Sequence, residues 1–440
     1  MKKYFVFLSA AAIALVAACN PNKEALPVSV GIQLMCDNAP FAVADIKVTL
    51  QDAAGSYSLE NSTDASGLAQ FTLKPGAYSA ICTYVTSDNG QRMAYNGAIA
   101  TFTVLENTPG TFDLNLQEVV SQQIVVKELY FGGCTNPETE KGYNNDSYLV
   151  LYNNSDVDAD ASNVVIGFLA PYNSFGTNKF LGADGTLSYE KDSWIPAYGA
   201  IWWFTAPVTI PAYSQIVVAL FGAIDHSATV STSVNLSNSS YYWMSNSDVA
   251  QYTNAKYTAV EAIPTTQYLS CLPFTQGNAW ALSNSSPALF IGNALQDQVK
   301  ALCADTEHYD HTMGDKPAFN VVKFPKANVI GALEVFSQPN LEKSAPRFPA
   351  DINTGYVAIT NNQGYSVYRN VDKAATEALK ENEGKLVYNY ALGTTDVEGT
   401  TDPSGIDAEA SIANGAHILY SQTGSTTNDF HQRKTASLKK

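Results

Sequence analysis

The chain has few charged residues, few basic ones and few histidines, and each shortage removes a class of function. Charged residues make up 15% of the 440 positions and apolar residues 45%, which excludes a disordered chain. The 25 basic residues are outnumbered by 41 acidic ones, so the formal charge of −16 disfavours nucleic acid as a partner. With 5 histidines and neither a Gly-x-Ser-x-Gly nor a His-Glu-x-x-His motif, we expect no enzyme and no cofactor.

The N-terminus carries an export signal. Lys2 and Lys3 precede an apolar run over residues 4–16, and Ala17, Ala18 and Cys19 follow it. At 13 residues, this run is shorter than the roughly 20 that a membrane-spanning helix needs, so we predict a secretory signal peptide over residues 1–18. A cut directly before a cysteine resembles the bacterial lipobox. That resemblance implies a lipid on Cys19 that holds the mature chain on a bilayer.

The residues after Cys19 indicate which membrane holds the protein. Asn20 is not the aspartate that commonly keeps lipoproteins at the inner membrane. Lys23 and Glu24 resemble the short charged signal that sends Bacteroidota lipoproteins to the cell surface. We therefore expect an outer-membrane lipoprotein on the extracellular face, with the periplasmic face as the alternative. Residues 19–27 are predicted to form a polar lipidated tether.

Five cysteines remain besides Cys19, so they cannot all pair with one another. Export permits disulfides. Alternating apolar residues around Cys36 and Cys82 place both on the inner side of their strands, which predicts a Cys36–Cys82 bridge. Two buried free thiols are the alternative. Elimination alone would pair Cys271 with Cys303, and no cysteine spacing is typical of a zinc site.

Residues 28–118 are predicted to form a small β-sandwich. Short alternating strands are separated by turn residues at positions 64–67 and 75–76. The order of turn glycine, buried Phe71, Pro-Gly and Tyr78 resembles the transthyretin-like, carboxypeptidase-regulatory-type domains of secreted bacterial proteins. The resemblance implies an immunoglobulin-like or transthyretin-like sandwich that serves as a spacer or stalk.

Residues 122–440 are predicted to form a larger, mainly β region. An apolar strand over residues 124–131, an aromatic strand over 148–152 and the turn Asn153-Asn154-Ser155 resemble a lamin-tail-type β-sandwich. A division into two subdomains near residues 300–320 stays open. The polar stretch from Thr423 to the end is expected to be a frayed tail.

Helix is expected at only two places in this region. Apolar residues at helical spacing predict one short helix over residues 294–303. A second is predicted over residues 372–383, because Asp372 is a suitable N-cap and Gly384 stands where a helix-ending glycine belongs. The fold class is therefore mainly β with a few short helices.

Five short segments of the second region carry a family resemblance. On these segments the chain from about Ile124 onward resembles the domain-of-unknown-function family 4876 of Bacteroidota surface lipoproteins. The resemblance implies that the protein accompanies a TonB-dependent outer-membrane transporter, and it brings no catalytic residues. The segments are residues 207–211 (PVTIP), 223–226 (AIDH), 280–283 (WALS), 364–369 (GYSVYR) and 428–430 (NDF).

The densest polar segment spans residues 305–315. His308 and His311 are three residues apart and alternate with carboxylates, among them Asp310. If the segment forms a helical turn, these side chains are suitable ligands for a divalent metal. Met313-Gly314 favours a loop instead, and a solvated acidic loop is the alternative interpretation.

The 25 tyrosines and 5 tryptophans are the remaining functional signal. Large rings with a polar tip suit protein interfaces and sugar stacking, and packing between two sheets is the alternative. We expect a non-catalytic ligand-binding protein or accessory partner of a TonB-dependent transporter. An adhesin or structural surface protein is a second hypothesis, and a metal-dependent hydrolase at His308 and His311 is a third.

Overall fold

The computed structural model describes residues 26–52, 58–88, 91–106, 109–244, 256–258, 261–275, 282–394 and 400–439. The chain divides into two compact units, one ending at Glu118 and the other beginning at Val119. Cys19 and the predicted signal peptide lie outside the described residues, as does all of the predicted tether except residues 26 and 27.

The first unit is built from eight β-strands. The hydrogen-bonded order is β2-β1-β8-β7-β6-β3-β4, with β5 paired to β1. Strand β1 runs parallel to β8. The strands are β1 (Val28–Cys36), β2 (Ala39–Pro40), β3 (Lys47–Asp52), β4 (Ser58–Ser62), β5 (Leu68–Leu73), β6 (Gly76–Asp88), β7 (Gln91–Val104) and β8 (Gly110–Val120).

One apolar core fills this unit, and the structure does not contain the disulfide predicted there. Cys82 is buried in the core and Cys36 packs against it, so both side chains face inward. Both are nevertheless free thiols, and the predicted Cys36–Cys82 bridge is absent. In the sheet, β8 and β7 lie between β1 and β6. Strand alternation fixes the face that a side chain occupies, but it does not fix which strands are neighbours.

The second unit contains eighteen of the strands in the described residues. Most are short, and the longest are β15 and β23. They are β9 (Ile124–Tyr130), β10 (Cys134–Thr135), β11 (Gly142–Tyr143), β12 (Tyr148–Asn153), β13 (Ala159–Asp160), β14 (Val164–Leu169), β15 (Trp194–Phe204), β16 (Thr209–Ile210), β17 (Gln215–Ala219), β18 (Tyr242–Trp243), β19 (Leu269–Cys271), β20 (Ala288–Asn293), β21 (Tyr309–Asp310), β22 (Val321–Pro325), β23 (Val329–Ser337), β24 (Val357–Ile359), β25 (Ser366–Arg369) and β26 (Phe430–Arg433).

Two large sheets enclose the main core of this unit. The first has the order β18-β17-β12-β9-β25-β26, and the second β21-β22-β15-β14-β20-β23-β24 with β19 beside β15. Side chains from both sheets, such as Leu151 and Trp202, belong to one core. Strands from before and after residues 300–320 pair directly, as β15 does with β22, so no division occurs there. The predicted mainly β, sandwich-type class is confirmed.

Four short α-helices complete the described part of the unit. The helix predicted over residues 294–303 is confirmed, whereas the one predicted over 372–383 ends at Ala378 and is followed by a 3-10 turn at residues 380–382. The four helices are α1 (Gln296–Ala304), α2 (Lys373–Ala378), α3 (Ala408–Ala413) and α4 (Thr426–Asp429). The Asp372 side chain caps α2 by accepting from the Ala375 amide at 2.9 Å. None of the helices in the described residues is long and apolar enough to cross a membrane.

The C-terminal stretch is docked, so the predicted frayed tail is wrong. Strand β26 is fully buried, and Ala436 beyond it is 1% exposed. The Ser437 amide donates to Glu128 Oε1 at 2.9 Å. Glu128 lies fully buried on β9, where a carboxylate requires donors that its own strand does not supply. Tyr148 and Ser366 supply two of these donors and Ser437 supplies two more, so the last residues are part of the fold.

Candidate ligand-binding site

The segment predicted to bind a metal does not assemble a site. His308 ends a 3-10 turn at residues 306–308, with its Nε2 atom 3.9 Å from an Asp305 carboxylate oxygen. Asp310 lies on β21, where its carboxylate is 3.9 Å from Lys323 Nζ. Because the chain forms a turn and a strand here, His308 and His311 do not share a helical face. Within the described ranges, no three His, Cys, Asp or Glu side chains could hold a metal ion.

A cap covers the outer face of the six-stranded sheet. We use this name for residues 370–420, of which 395–399 lie outside the described residues. Strand β9 is buried along its whole length because the other sheet covers one face and the cap covers the other. Val126 therefore enters the core between the sheets, whereas Val125 packs under the cap beside Ile406 and Ile418.

Lys127 lies at the centre of the interface between the cap and the sheet. Its Nζ atom is 5.7 Å from the ring centres of three tyrosines, which are Tyr152, Tyr368 and Tyr420. It forms an ion pair at 2.8 Å with Glu409 of α3 and donates to the Gln215 side-chain oxygen at 2.6 Å. Lysine is rarely buried without a partner, and here both the carboxylate and the rings stabilise its charge.

The tyrosine hydroxyls extend this network. Tyr368 donates to Glu409 at 2.7 Å, and its hydroxyl is 3.0 Å from that of Tyr420. Burial raises the pKa of both phenols well above the usual value, so they remain neutral. Lys127, Glu409, Tyr368 and Tyr420 thus form one network of mutual contacts between the sheet and the cap. It attaches the cap to the sheet.

Isolated histidines in the sequence also have structural roles. His226 interacts through Nδ1 with the Tyr143 hydroxyl at 2.5 Å and through Nε2 with the Gly222 carbonyl at 2.9 Å. His431 interacts through Nδ1 with Asn370 at 2.7 Å, and burial lowers its pKa to about 3. Both rings are fixed inside the unit by hydrogen bonds to neighbouring groups.

An open cleft of about 440 Å³ lies on the surface of the cap, beside α2. Buried Asn382 stabilises its floor by joining three segments. The Asn382 amide donates to the Thr376 carbonyl at 2.8 Å and to the His417 carbonyl at 2.7 Å, while its oxygen accepts from the His417 amide at 2.8 Å. The cleft is lined by Glu377, Ala378, Leu379, Lys380, Asn382, Glu383, Gly384, Leu386 and Tyr388.

Tyr388 gives the cleft an exposed aromatic wall. Its side chain is 46% exposed, and its hydroxyl donates to Glu377 at 2.9 Å. That hydrogen bond raises the pKa of Tyr388. The Lys373 ammonium is 6.0 Å from the ring centre. The hydrogen bond to Glu377 therefore orients the hydroxyl end of the ring. Glu383 and Lys380, which also line the cleft, add one negative and one positive charge.

The number of tyrosines in the sequence indicated aromatic contacts, but it did not separate Tyr388, which lines the cleft, from its neighbour Tyr390. Asn389 has a φ of +73°, which turns the chain between the two rings. Tyr390 consequently points inward, with its hydroxyl 2.5 Å from His431 Nε2, and Tyr388 remains outside. The cleft also depends on the contact between Asn382 and His417, which are 35 residues apart. No local pattern reveals that contact.

Solved structures support the fold. A crystal structure of a DUF4876 family protein from Bacteroides thetaiotaomicron is 15% identical and covers 92% of this chain and 95% of that chain, with a TM-score of 0.50. A DUF3823 family protein from Parabacteroides merdae covers 70% of this chain and 98% of that chain at 9% identity, with a TM-score of only 0.17. The first likeness concerns the fold alone. At a TM-score of 0.17, the second structure does not have the same overall fold.

Comparison of the sequence with known families identifies the family of this chain. No curated protein matches this chain in sequence. The sequence model of a family described as proteins of unknown function, DUF4876, matches residues 213–437, which is half of the chain. The match includes the cap, α2 and Tyr388, and it confirms the predicted resemblance. The chain belongs to the DUF4876 family.

Proposed function

We propose that this protein is a lipid-anchored, non-catalytic binding protein of the outer membrane whose cleft captures a hydroxyl-rich ligand such as an oligosaccharide. One observation carries the proposal: Tyr388 presents a half-exposed ring beside a cleft whose floor is fixed by hydrogen bonds. A cleft of about 440 Å³ has the usual size of a small-molecule site. The ring can stack on the apolar face of a sugar, and Glu383 and Lys380 can bond its hydroxyls.

The polar groups of the cleft favour binding over catalysis. Glu377 already accepts a hydrogen bond from Tyr388, which orients the ring. Tyr368 and His431, whose pKa values burial shifts strongly, are buried and do not line the cleft. Strongly shifted pKa values mark catalytic groups only when those groups line a cleft.

The anchor and the partner are supported by the sequence. The lipobox ending in Cys19 supports attachment to a bilayer, and Lys23 and Glu24 support the extracellular face. The resemblance to surface lipoproteins supports a TonB-dependent transporter as the partner. An adhesin or structural surface protein is the competing function, and capture of a transporter from outer membranes distinguishes the two.

Substituting Tyr388 with alanine is expected to weaken polysaccharide binding about tenfold, or by about 1.4 kcal/mol. The loss arises because the ring that stacks on the sugar disappears. Calorimetric titration with starch, xylan and yeast mannan measures the change.

Two variants serve as controls for this titration. Tyr388→Phe keeps the ring and should retain most of the affinity. Tyr356→Ala removes a tyrosine that is 38% exposed and stacks on Phe336 outside the cleft, so it should bind as the wild type does. Equal affinities of Tyr388→Ala and the wild type, or no binding of any of the three polysaccharides, would refute the proposed cleft.

A Cys19→Ser variant is expected to leave the membrane fraction, because the thioether-linked lipid cannot form on serine. Fractionation of cell envelopes, followed by protease treatment of intact cells, measures both attachment and exposure. The wild type should sediment with outer membranes and be digested from outside. Unchanged sedimentation of Cys19→Ser would contradict the anchor, and protection from protease would favour the periplasmic face.

The same two chains test the partner. Wild-type protein captured from detergent-solubilised outer membranes should bring down a TonB-dependent transporter. The Cys19→Ser chain should recover much less of it, because a membrane tether raises the local concentration of the two proteins. Recovery of no transporter with the wild type would favour the adhesin.

A further inference from the structure

A second contact between the cap and the sheet is partly open to solvent. Tyr213 lies in the turn between β16 and β17, where its φ of +52° is unfavourable for a bulky residue. Its ring stacks on the imidazole of His417 in the cap, with the ring centres 4.4 Å apart and an angle of 18° between the planes. The stack therefore joins the turn that leads into the six-stranded sheet to the cap.

His417 also supports the floor of the cleft. Its backbone carbonyl and amide bind the Asn382 side chain at 2.7 and 2.8 Å. Glu381, the residue before Asn382, has a carboxylate oxygen 3.7 Å from His417 Nδ1. The side chains of His417 and Glu381 are 43% and 46% exposed, so solvent protons reach both. One residue thus connects the stack on Tyr213, the Glu381 carboxylate and the floor.

The surroundings of the His417 ring favour a positive charge. Its Nδ1 atom has no hydrogen-bond partner in the part of the chain that the structure describes. A protonated ring forms an ion pair with Glu381 and places a cation on the face of the Tyr213 ring, whereas a neutral ring keeps only the stack. Burial raises the pKa of Tyr213, and the negative charges of Asp156 and Glu381 raise it further. Two carboxylates therefore act on the stack.

The other charged groups of α2, of α3 and of the 3-10 turn at residues 380–382 have contacts of their own. They are Lys373 and Glu377 at Tyr388, Glu409 at Lys127, Asp372 and Asp407 at the starts of the two helices, and Lys380 in the cleft. The charge that acts on the stack consequently comes from Glu381 and Asp156, and it is negative.

We propose that Tyr213, His417 and Glu381 form a latch that tightens when His417 is protonated and then holds the floor of the cleft more firmly. Histidine is the side chain whose charge normally changes between pH 5 and 8. In mild acid the imidazolium binds Glu381 and Tyr213 together, which fixes the 3-10 turn against the sheet. The latch itself is independent of any ligand, whereas its effect on the cleft rests on the proposed function.

Hydrogen exchange of the full chain without ligand tests the latch. After correction for the intrinsic pH dependence of exchange, the amides of residues 380–386 and 417 should exchange about fivefold more slowly at pH 5.5 than at pH 7.5. In His417→Gln the side chain cannot gain a proton, so this ratio should fall to about one. Equal ratios in the wild type and His417→Gln, or no pH dependence in the wild type, would overturn the proposal.

Two further variants keep the test decisive. Glu381→Gln removes the carboxylate of a partly exposed residue, so it leaves folding intact even if His417→Gln does not fold. It should reduce the ratio to about twofold, and an unchanged fivefold ratio would contradict the ion pair. His311→Gln removes an exposed histidine outside the cap and should keep the wild-type ratio.

Titration with starch, xylan and yeast mannan at the two pH values tests the effect on the cleft. The wild type should bind about threefold more tightly at pH 5.5 than at pH 7.5, whereas the affinity of His417→Gln should not change between them. The same affinity of the wild type at both pH values would refute the link between the latch and the cleft. A pH-dependent exchange ratio without binding of any polysaccharide would refute the proposed ligand and still support the latch.

Discussion

Replacing Arg347 with alanine is expected to lower the free energy of unfolding of the second unit by about 3–5 kcal/mol. Arg347 and Glu334 form an ion pair in which both side chains are fully buried, with a shortest distance of 2.6 Å. The Arg347 guanidinium also donates to the carbonyls of Pro171 and Ser286 at 3.0 and 2.8 Å. Removing it takes the cation from a buried carboxylate, which keeps the backbone amide of residue 347 as a donor, and it leaves the two carbonyls without the guanidinium donors. Each loss has a desolvation cost.

Urea denaturation monitored by tryptophan fluorescence measures this effect. Arg347→Lys is expected to recover only part of the loss, because an ammonium cannot make the two-pronged contact of a guanidinium. The matched control is Asp297→Ala, which removes an ion pair to Lys300 at the surface. Since the Asp297 side chain is 97% exposed, its removal should change the free energy of unfolding by less than about 1 kcal/mol. Equal effects of the Arg347 and Asp297 substitutions would contradict the argument.

The ion pair joins segments that the sequence does not connect. Arg347 lies in a polar stretch between β23 and β24, and its contacts bring together the segment after β14, the start of β20 and β23. Alternation is a local property, so it identifies strands, and it correctly predicted the mainly β fold; helical spacing likewise located α1. Neither pattern can identify a partner such as Pro171, which is 176 residues away.

The same limit explains the errors at Cys36 and in the C-terminal stretch. The inward face of Cys36 was a local inference and is right, whereas the pairing with Cys82 needed the order of strands in the sheet. The last residues look like a polar tail, but Ser437 satisfies a carboxylate 309 residues earlier in the chain. The cleft beside Tyr388 was missed for the same reason, because its floor is a long-range contact.

The substitution Lys127→Met is expected to lower the free energy of unfolding by about 2–4 kcal/mol, slightly less than for Arg347 because Glu409 is partly exposed. Methionine fills the space of the lysine stem but leaves Glu409 without its cation, and the Glu409 side chain is 28% exposed. The three tyrosine rings also lose the charge that they surround. Because α3 is attached to the sheet through this pair, hydrogen exchange should rise first in the cap.

A double-mutant cycle isolates the pair. Glu409→Gln alone leaves the Lys127 charge fully buried and unpaired, and combined with Lys127→Met it should cost less than the two single effects added together. The hydrogen exchange of Lys300→Ala, whose lysine pairs with Asp297 outside the cap, should remain that of the wild type. Strict additivity of the two substitutions would show that Lys127 and Glu409 are not coupled.

The pH dependence of stability provides a second test of this pair. Burial opposes ionisation of Glu409, but the charge and hydrogen bond of Lys127, the Tyr368 hydroxyl and the Arg433 charge together outweigh it, so the pKa of Glu409 lies below its usual 4.5. A carboxyl group whose pKa is lowered by folding stabilises the fold above its unfolded pKa, and this contribution is lost as pH falls through the folded pKa. The difference in stability between the wild type and Lys127→Met should therefore be full at pH 7 and shrink below about pH 4. A difference that stays constant down to pH 3 would mean that the cap is held by packing of Tyr368 and Tyr420 rather than by the charge between them.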